Sequence, residues 1–219
     1  MYKISELLDL SHTIAAPLFE GKDYPWEVLG GIREFILTLG PALSPEEFDS
    51  PEEGVWIAKD AKVFPSAYIG APCIIDHGAE VRHCAFIRGS AIVGKNCVVG
   101  NSVELKNAVL FDSVQVPHYN YVGDSVLGYK SHMGAGSITS NVKSDKTLVV
   151  VKNGEERIET GLKKFGAILG DHVEVGCNSV LNPGTVLGRE VSVYPTSSVR
   201  GVVPAGCIFK GEGNIVKRS

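Results

Sequence analysis

Two basic residues 18 positions apart, Arg88 and Lys106, are the first candidates for binding chemistry in this sequence of 219 residues. Each follows an aliphatic residue of a six-residue repeat, so the two side chains should stack on neighbouring coils. Adjacent cations repel each other, and an anion between them would remove that cost, with the arginine fork suited to a phosphate. The pair therefore predicts a phosphate site. The alternative is two solvated cations, or cations paired with Glu104 or Asp124.

A histidine offers acid–base chemistry. His118 lies in the stretch PHYNYVGD, where the six-residue repeat fails between about 112 and 126. Departures from a regular pattern tend to lie at functional sites, because regularity favours stability. An imidazole titrates near neutrality and can act as a general base. The alternative is a surface or hydrogen-bonded histidine without a chemical role.

Metal and thiol chemistry are disfavoured. A zinc site needs at least three converging ligands, whereas His77 and His83 share a repeat position on different sides of the coil. We therefore expect no metal. The five cysteines form no CxxC pair, which predicts free thiols in a reducing compartment. Cys73 and Cys97 occupy small inward positions of the repeat, which predicts that they belong to the core.

The elements that must position these residues follow from the repeat itself. An apolar residue recurs at every sixth position from Ile57 to Phe111, resumes at Leu127, and runs again from Leu169 to Val199. A mostly small residue follows four places later. Period six fits neither an α-helix nor a two-faced strand. It fits a triangular prism of coils with the aliphatic residues inward and neighbouring strands about 4.8 Å apart. The sequence therefore predicts an all-β fold, a parallel β-helix of hexapeptide repeats.

Residues 1–54 lack the repeat and predict a small helical N-terminal cap. Apolar spacing indicates helices at 4–10 and 25–39, and a capping-box pattern indicates another helix starting at 44–47. We expect this segment to cover the open end of the core at the first coil.

The β-helix is predicted over residues 55–210, with an insertion at about 140–166 and a C-terminal tail at 211–219. The insertion predicts a hairpin, since strands at 148–152 and 155–160 flank Asn153-Gly154, the favoured type I′ turn. A long loop that leaves a regular coil is usually functional.

Charge and hydropathy narrow the class of partner. The 21 basic and 25 acidic residues give a net charge of −4, with no basic stripe suited to nucleic acid. No apolar run approaches the length that spans a bilayer, and the N-terminal residues lack a signal core. We therefore expect a cytoplasmic protein that binds neither nucleic acid nor membranes.

Four motifs are more specific than the bare repeat: VGNSVELKNAVL (99–110), VPHYNYVGDSVLG (116–128), MGAGSITSN (133–141) and KKFGAILGD (163–171). They resemble the acetyltransferase half of the bifunctional N-acetylglucosamine-1-phosphate uridyltransferase/glucosamine-1-phosphate acetyltransferase, and the similar tails of archaeal-type sugar-1-phosphate nucleotidylyltransferases. The resembling stretch, 88–204, covers a little over half of the chain. The N-terminal segment resembles that of bacterial proteins related to UDP-N-acetylglucosamine pyrophosphorylase. The resemblance implies a left-handed β-helix and a homotrimer with active sites between subunits.

The resemblance also implies an activity and roles for particular residues. The activity is acetyl transfer from acetyl-CoA to the amine of glucosamine 1-phosphate or galactosamine 1-phosphate. His118 falls on the general base, and the backbone N–H of Ala135 falls where the oxyanion develops. Residues with implied contacts to the sugar phosphate are Arg88, Lys106, Tyr121, His132 and Lys164. Residues with implied contacts to acetyl-CoA are Asn141, Cys177 and Pro195.

Departures from the family pattern leave two alternatives open. A sugar-contacting Asn of the family falls on His132 and a Tyr on Val142, which favours a nucleotide-linked amino sugar as the acceptor. No segment resembles the nucleotide-binding loop of the pyrophosphorylase half, so we expect no nucleotidyl transfer by this chain. The other alternative is therefore a non-catalytic sugar-nucleotide-binding or regulatory subunit that partners a separate nucleotidyltransferase.

Overall fold

The computed structural model describes residues 1–218, whose strands wind around a triangular prism with three faces, each made of parallel strands. Face 1 contains β2 (Val55–Ala58), β5 (Cys73–Ile75), β8 (Ala91–Val93), the second half of β10 (Glu104–Leu110), the second half of β12 (Tyr121–Leu127), β17 (Ala167–Leu169), β20 (Thr185–Leu187) and β23 (Val202–Val203). Face 2 contains β3 (Lys62–Val63), β6 (Glu80–Val81), β9 (Val98–Asn101), β11 (Gln115–His118), β13 (His132–Met133), β18 (Glu174–Val175), β21 (Ser192–Val193) and β24 (Cys207–Gly211). Face 3 contains β4 (Tyr68–Ile69), β7 (Phe86–Ile87), the first halves of β10 and β12, β14 (Ile138–Thr139), β19 (Val180–Leu181) and β22 (Ser198–Val199).

The predicted inward side chains form the core. Ile75, Val81 and Ile87 of one coil have no exposed surface, and the small residues Ala79 and Ala85 are buried beside them. Parallel pairing keeps equivalent residues of successive coils in register, which stacks the aliphatic side chains into columns. The prediction of a parallel β-helix of hexapeptide repeats is confirmed, and its left-handed sense remains the one that the resemblance implies.

One residue in almost every repeat has a positive φ, which is uncommon for residues other than glycine and turns the chain at a corner of the prism. Between residues 84 and 130 these positions are Cys84, Ser90, Asn96, Ser102, Asn107, Ser113, Tyr119, Asp124 and Lys130. Successive positions are six residues apart, except for steps of five at 102–107 and 119–124.

These two short steps show where the repeat is interrupted. We expected the break around His118, but Val116 pairs with Val99 in regular register just before it. The repeat is one residue short in β10 and again in β12. These strands bend at Asn107 and Asp124 and continue from face 3 into face 1. Asn and Asp tolerate the left-handed conformation that such a bend requires. Of the two interruptions, the one at Asp124 lies within the predicted break at 112–126, whereas the one at Asn107 lies before it.

Residues 1–54 form an arm along face 1, not a cap over the end of the core. The Tyr2 hydroxyl accepts a hydrogen bond of 2.8 Å from the Ala205 N–H of the last coil, and the Leu29 carbonyl accepts one of 3.1 Å from the Asn107 side chain. The first coil is left open, since Val63 is 38% exposed. The arm thus runs from the last coils to the first, and the expectation of an end cap is wrong.

The arm contains two α-helices and four 3₁₀ turns. They are α1 (Ile4–Leu7), α2 (Ile32–Leu39) and the turns Leu10–His12, Ala16–Phe19, Pro25–Val28 and Gly40–Ala42. The helix predicted at 25–39 is therefore interrupted before α2. No helix starts at 44–47, because the chain makes one turn there, with the Glu46 N–H donating to the Ser44 hydroxyl at 3.2 Å, and then extends as β1 (Phe48–Asp49) to pair with β2.

Face 1 is buried on both sides, and this is the physical reason for the course of the arm. Its strands carry three consecutive buried residues, reading CII, AIV, AVL, SVL, AIL and TVL. Such buried and mostly apolar runs are typical of parallel strands that are covered on both faces. From the arm, Trp26 packs near Phe165 with ring centroids 5.8 Å apart. The insertion covers the last coils, where Val149 and Val151 are fully buried.

The predicted hairpin in the insertion is confirmed. β15 (Val150–Asn153) pairs antiparallel with β16 (Glu156–Glu159), and Gly154 in the turn has a φ of +59°. At the C-terminus, β25 (Asn214–Lys217) folds back antiparallel on β24. Of the predicted tail 211–219, residue 219 lies outside the described residues. No helix within residues 1–218 has the length and apolar character to cross a membrane.

A cavity of about 400 Å³ lies where the arm passes the boundary between faces 1 and 2. Asp76, which lines it, is 1% exposed. Its Oδ1 accepts a hydrogen bond of 2.8 Å from the His77 N–H, whereas its Oδ2 has no partner among the described residues. Burial raises the pKa of Asp76, because the cost of desolvating its charge exceeds the opposing effects of the His77 N–H and the nearby charges of Lys95 and His77.

Candidate functional site

The predicted site residues lie mostly along the two long edges of face 3. The first edge, where face 2 meets face 3, carries His118, Ala135, Cys177 and Pro195. The second edge, where face 3 meets face 1, carries Arg88, Lys106 and Asn141. Tyr121 begins β12 on face 3 between the two edges.

Backbone hydrogen bonds stack the turns of the first edge on one another. The Gly136 N–H donates to the His118 carbonyl at 3.0 Å, and the Asn178 N–H donates to the Ala135 carbonyl at 2.8 Å. The Thr196 N–H donates to the Cys177 carbonyl at 2.8 Å. The candidate base, the candidate oxyanion donor and two predicted acetyl-CoA contacts therefore form one column along the prism.

Asn120 holds two of these turns together. It is 2% exposed, and its Oδ1 accepts a hydrogen bond of 3.2 Å from the His118 N–H. Its Nδ2 donates to the carbonyls of Gly134 at 2.8 Å and Ser137 at 3.1 Å, on either side of Ala135. The sequence reasoning missed this residue. The available signal was a polar side chain four places after an inward aliphatic residue, where most other repeats have a small residue.

The reactive groups of the first edge are accessible. His118 is exposed, and its imidazole makes no hydrogen bond within residues 1–218. Ala135 is half-buried, and its backbone N–H has no partner in the same part of the chain. A proton acceptor thus lies one coil away from an available backbone donor. Cys177 and Pro195 are exposed further along the same edge.

On the second edge, the predicted cations are adjacent but already paired. The pairing of β10 with β7 brings Arg88 next to Lys106. Arg88 Nη1 lies 2.8 Å from Glu104 Oε1, and Lys106 Nζ lies 2.9 Å from Asp124 Oδ1. The hydrogen bond to Glu104 raises the pKa of Arg88. The alternative of paired cations is therefore the arrangement observed, and no uncompensated repulsion is present between them.

Asp124 joins the side chains of this edge. Its carboxylate accepts hydrogen bonds from Lys106 Nζ, from Asn107 Nδ2 at 3.0 Å and from Asn141 Nδ2 at 2.5 Å. Asn141 also donates to the Tyr121 hydroxyl at 3.1 Å. The bend at Asp124 and the exit of the insertion after β14 bring these groups together. Burial, with the nearby charges of Asp124 and Glu104, raises the pKa of Tyr121, so its hydroxyl stays protonated.

Lys164 lies at the other end of the insertion, beside Asn141. The backbone N–H of the next residue, Phe165, donates to the Asn141 carbonyl at 2.9 Å. Phe165 is fully buried against the arm, whereas Lys164 is exposed. The structure therefore places Lys164 next to the second edge, with an exposed side chain on a backbone that is held by this hydrogen bond.

His132 lies apart from the second edge. It is on face 2, and its Nδ1 is 2.8 Å from Glu174 Oε2 in the neighbouring strand. His132 precedes Ala135 by three residues, so it belongs with the first edge. The structure thus separates the five predicted sugar-phosphate residues between the two edges.

Two cysteines and both histidines considered for thiol and metal chemistry are buried or contact other side chains. Cys73 and Cys97 are fully buried as predicted, and burial raises the pKa of Cys73 to about 12. The five cysteines are free thiols. His77 Nδ1 lies 2.9 Å from Asp60, and His83 Nδ1 lies 3.2 Å from the Ser66 hydroxyl. Within residues 1–218, no three metal-ligating side chains converge.

Comparison with known proteins identifies related sequences. The GMPPB C-terminal domain matches residues 69–187. A bifunctional sugar-1-phosphate nucleotidylyltransferase/acetyltransferase of Sulfurisphaera tokodaii is 35% identical over 156 residues, which cover 71% of this chain and 39% of that protein. The bifunctional protein GlmU of Methanococcus vannielii is 28% identical over 197 residues, which cover 89% of this chain and 47% of that protein. The chain thus spans less than half the length of these curated relatives.

Solved structures with similar coils include the acetyltransferase domain of PglB from Neisseria gonorrhoeae in complex with acetyl coenzyme A. That structure is 18% identical, with a TM-score of 0.33, and the match covers 78% of this chain and 72% of that chain. The UDP-N-acetylglucosamine O-acyltransferase LpxA from Moraxella catarrhalis is 11% identical, with a TM-score of 0.38, and the match covers 75% of this chain and 72% of that chain.

Proposed function

The chain belongs to the family of the GMPPB C-terminal domain, and on that premise we propose that it is an acetyltransferase that moves acetyl from acetyl-CoA to the amine of a hexosamine 1-phosphate. The observation that carries the proposal is the first edge, where the His118 side chain is exposed and the His118 carbonyl accepts a hydrogen bond from the Gly136 N–H in the turn of Ala135. A proton acceptor beside an available N–H is the pair of groups that acyl transfer to an amine requires.

The proposed chemistry balances with these groups alone. The amine nitrogen attacks the thioester carbonyl carbon, and the His118 imidazole accepts a proton from that nitrogen. The carbonyl oxygen becomes negative and accepts a hydrogen bond from the Ala135 N–H. The carbon–sulfur bond then breaks, and the imidazolium returns the proton to the departing thiolate. Cys177 and Pro195, further along this edge, are proposed to contact the donor, as is Asn141.

The second edge is proposed to bind the sugar phosphate. Arg88 is 48% exposed at its side chain and donates one hydrogen bond to Glu104, which leaves other guanidinium donors for an anion. Lys106 is held by Asp124 at a fixed position beside it. Tyr121 keeps a protonated hydroxyl at the edge of this cluster, and Lys164 reaches it from the insertion. His132 is proposed to contact the sugar from the first edge.

We propose that the active sites are completed between copies in a homotrimer. The base and the phosphate-binding cations lie on opposite edges of face 3, so the first edge of one copy can face the second edge of the next. Face 1 is covered by the arm and the hairpin, which leaves faces 2 and 3 for self-association. Tyr68 and Phe86 are 61% and 43% exposed on face 3 and supply apolar surface for such contacts.

The test is release of free CoA thiol from acetyl-CoA with glucosamine 1-phosphate, galactosamine 1-phosphate and a UDP-linked amino sugar as separate acceptors. A protein-only blank corrects for the exposed thiols of Cys84 and Cys177. Turnover with a hexosamine 1-phosphate supports the proposal. Turnover with only the UDP-linked acceptor would replace the proposed substrate, and no turnover from folded trimer would overturn the activity.

A further inference from the structure

A cleft of about 430 Å³ lies between the insertion hairpin and the last coils, on the second edge beyond Asn141. Its charged lining consists of Lys143, Lys152, Arg157, Arg200 and Glu159. Four cations against one carboxylate give the lining a net charge of +3, and the ion pair of Lys143 with Asp145 nearby reduces the excess to two positive charges. The whole chain has a net charge of −4, so this positive charge is a local concentration.

The cations of the cleft repel one another in the hairpin. Lys152 lies directly opposite Arg157 in the pairing of β15 with β16. Like charges directly opposite across two strands destabilise a sheet. Within residues 1–218, neither of them nor Arg200 forms an ion pair, and only Lys143 does, with Asp145 at 3.4 Å. An anion in the cleft would remove this repulsion.

The hairpin is seated against the coils, so the cleft has defined walls. Gly184 and Gly201 both have positive φ values, of +80° and +72°. A Cβ at Gly184 would lie 2.7 Å from Val149, and a Cβ at Gly201 would lie 2.7 Å from the Lys152 carbonyl oxygen. Glycine at both positions therefore permits a close approach of the hairpin backbone that brings Lys152 next to the edge at Arg200.

The position of the cleft along the prism axis suits the phosphate end of the acyl donor. Arg200 follows Pro195 by five residues on the same coil, across face 3 from it. The turn of Pro195 is two coils beyond the turn of Ala135, which is about 10 Å along the axis. In acetyl-CoA the pantetheine arm separates the thioester from the phosphates, so the two ends need binding sites that are separated along the prism axis.

We propose that this cleft binds the phosphate groups of a nucleotide, and that the nucleotide is the coenzyme A of a donor whose thioester lies at the first edge of an adjoining copy. The identity of the nucleotide rests on the proposed function, whereas anion binding in the cleft does not. Arg157 and Lys152 provide the charge, and Arg200 and Lys143 form the opposite wall.

The test compares the binding of CoA and of pantetheine, by titration calorimetry, to the unmodified trimer and to Arg157→Ala and Lys152→Ala. We expect each substitution to weaken CoA binding by roughly ten- to hundredfold, the effect of one charged hydrogen bond. Pantetheine, which lacks the phosphates, should bind equally to all. The matched control is Arg33→Ala, on an exposed position of α2 outside the lining of the cleft, which should leave CoA affinity and turnover unchanged.

Inorganic pyrophosphate separates this inference from the proposed activity. Pyrophosphate should raise the unfolding temperature of the unmodified protein but not of Arg157→Ala. The unliganded variant should unfold at the same or a higher temperature, because one repulsive partner is removed. If both variants bind CoA as tightly as the unmodified protein does, the inference is overturned even if acetyl transfer occurs. A dependence on Arg157 seen with UDP-N-acetylglucosamine but not with CoA would overturn the assignment to coenzyme A.

Discussion

Lys106 Nζ lies 2.9 Å from Asp124 Oδ1, and the Asp124 side chain is only 4% exposed. We expect Lys106→Met to leave a buried carboxylate without its counter-charge and to lower the free energy of unfolding by about 1–3 kcal/mol. The loss should stay below that of a fully buried pair, because Asn107 and Asn141 still donate to the carboxylate. Denaturant unfolding at fixed protein concentration measures the change.

A matched lysine distinguishes this effect from a general loss of charge. Lys62 lies 3.7 Å from Glu80 on face 2, with 71% of its side chain exposed. Lys62→Met should change stability by less than about 0.5 kcal/mol, since exposed ion pairs contribute little. Equal effects of the two substitutions would contradict the role given to Asp124.

His118→Ala should lower the rate of acetyl transfer by about 10²–10⁴, the usual contribution of a general base. Asn120→Ala keeps the imidazole but removes its backbone support, and displacement of a reactive group by about 1 Å can cost 10²-fold. We therefore expect Asn120→Ala to lower kcat with little change in the KM for the sugar. Steady-state kinetics with both substrates checks this.

The control for Asn120 is another buried asparagine with similar bonds. Asn182 is 8% exposed, and its Nδ2 donates to the Ser198 hydroxyl at 3.0 Å and to the Val199 carbonyl at 2.9 Å. Asn182→Ala should reduce the unfolding temperature about as much as Asn120→Ala while kcat at saturating acetyl-CoA is retained. Loss of kcat in both variants would show that Asn120 acts through stability alone.

The buried Asp76 predicts a pH dependence of stability. Its pKa is raised above 3.8 by burial, while Lys95 and His77 lower it and Asp60 opposes them. Folding thus favours the protonated acid, so its contribution is greatest below pH 3.8 and is lost as pH rises through the raised pKa. Asp76→Asn should therefore unfold at a higher temperature than the unmodified protein at pH 7, with the difference shrinking toward pH 4. A difference that does not vary with pH would disprove this.

Removal of the Trp26 side chain tests whether the packing of the arm on face 1 stabilises the fold. Trp26 is 2% exposed and packs near Phe165. Trp26→Ala should lower the free energy of unfolding by about 3–5 kcal/mol, as for other buried aromatic residues. Leu37→Ala, at a residue of the same arm that is 38% exposed, should cost about 0.5 kcal/mol. A loss below about 1 kcal/mol for Trp26→Ala would mean that the arm is dispensable for the fold.

The β-helix was predictable because the repeat dictates which residue of each coil is buried. The covering of face 1 had a signal as well, since Cys73–Ile75 and Ala167–Leu169 are unbroken apolar runs. The helix expected after Ser44 failed because the pairing of β1 with β2 overrides a local capping preference. The arm's course along face 1 could not be read from its own residues, which show only that they have an apolar side.

The adjacency of the two cations in the candidate site was predictable, but whether they are paired or free was not. Adjacent coils brought Arg88 beside Lys106 as expected. The sequence already offered Glu104 and Asp124 as possible partners of these cations, but the choice between paired and solvated cations depends on side-chain direction at the bend. The five-residue steps at Asn107 and Asp124 are visible only once the positive φ angles are known, because the apolar spacing alone allowed the break to fall elsewhere. The buried polar Asn120 was the clearest unused signal.

The arm has a consequence for how this solenoid unfolds. A stack of coils normally couples each unit only to its neighbours, so its ends can fray independently. Here the N-terminal amine lies 2.6 Å from Glu156, and Asp9 donates its N–H to the Asp171 carboxylate at 2.8 Å, while residues 48–49 pair with the first coil. The last coils therefore cannot detach without releasing a segment that also anchors the first. The chain should consequently melt as one cooperative unit, with slow folding set by these distant contacts.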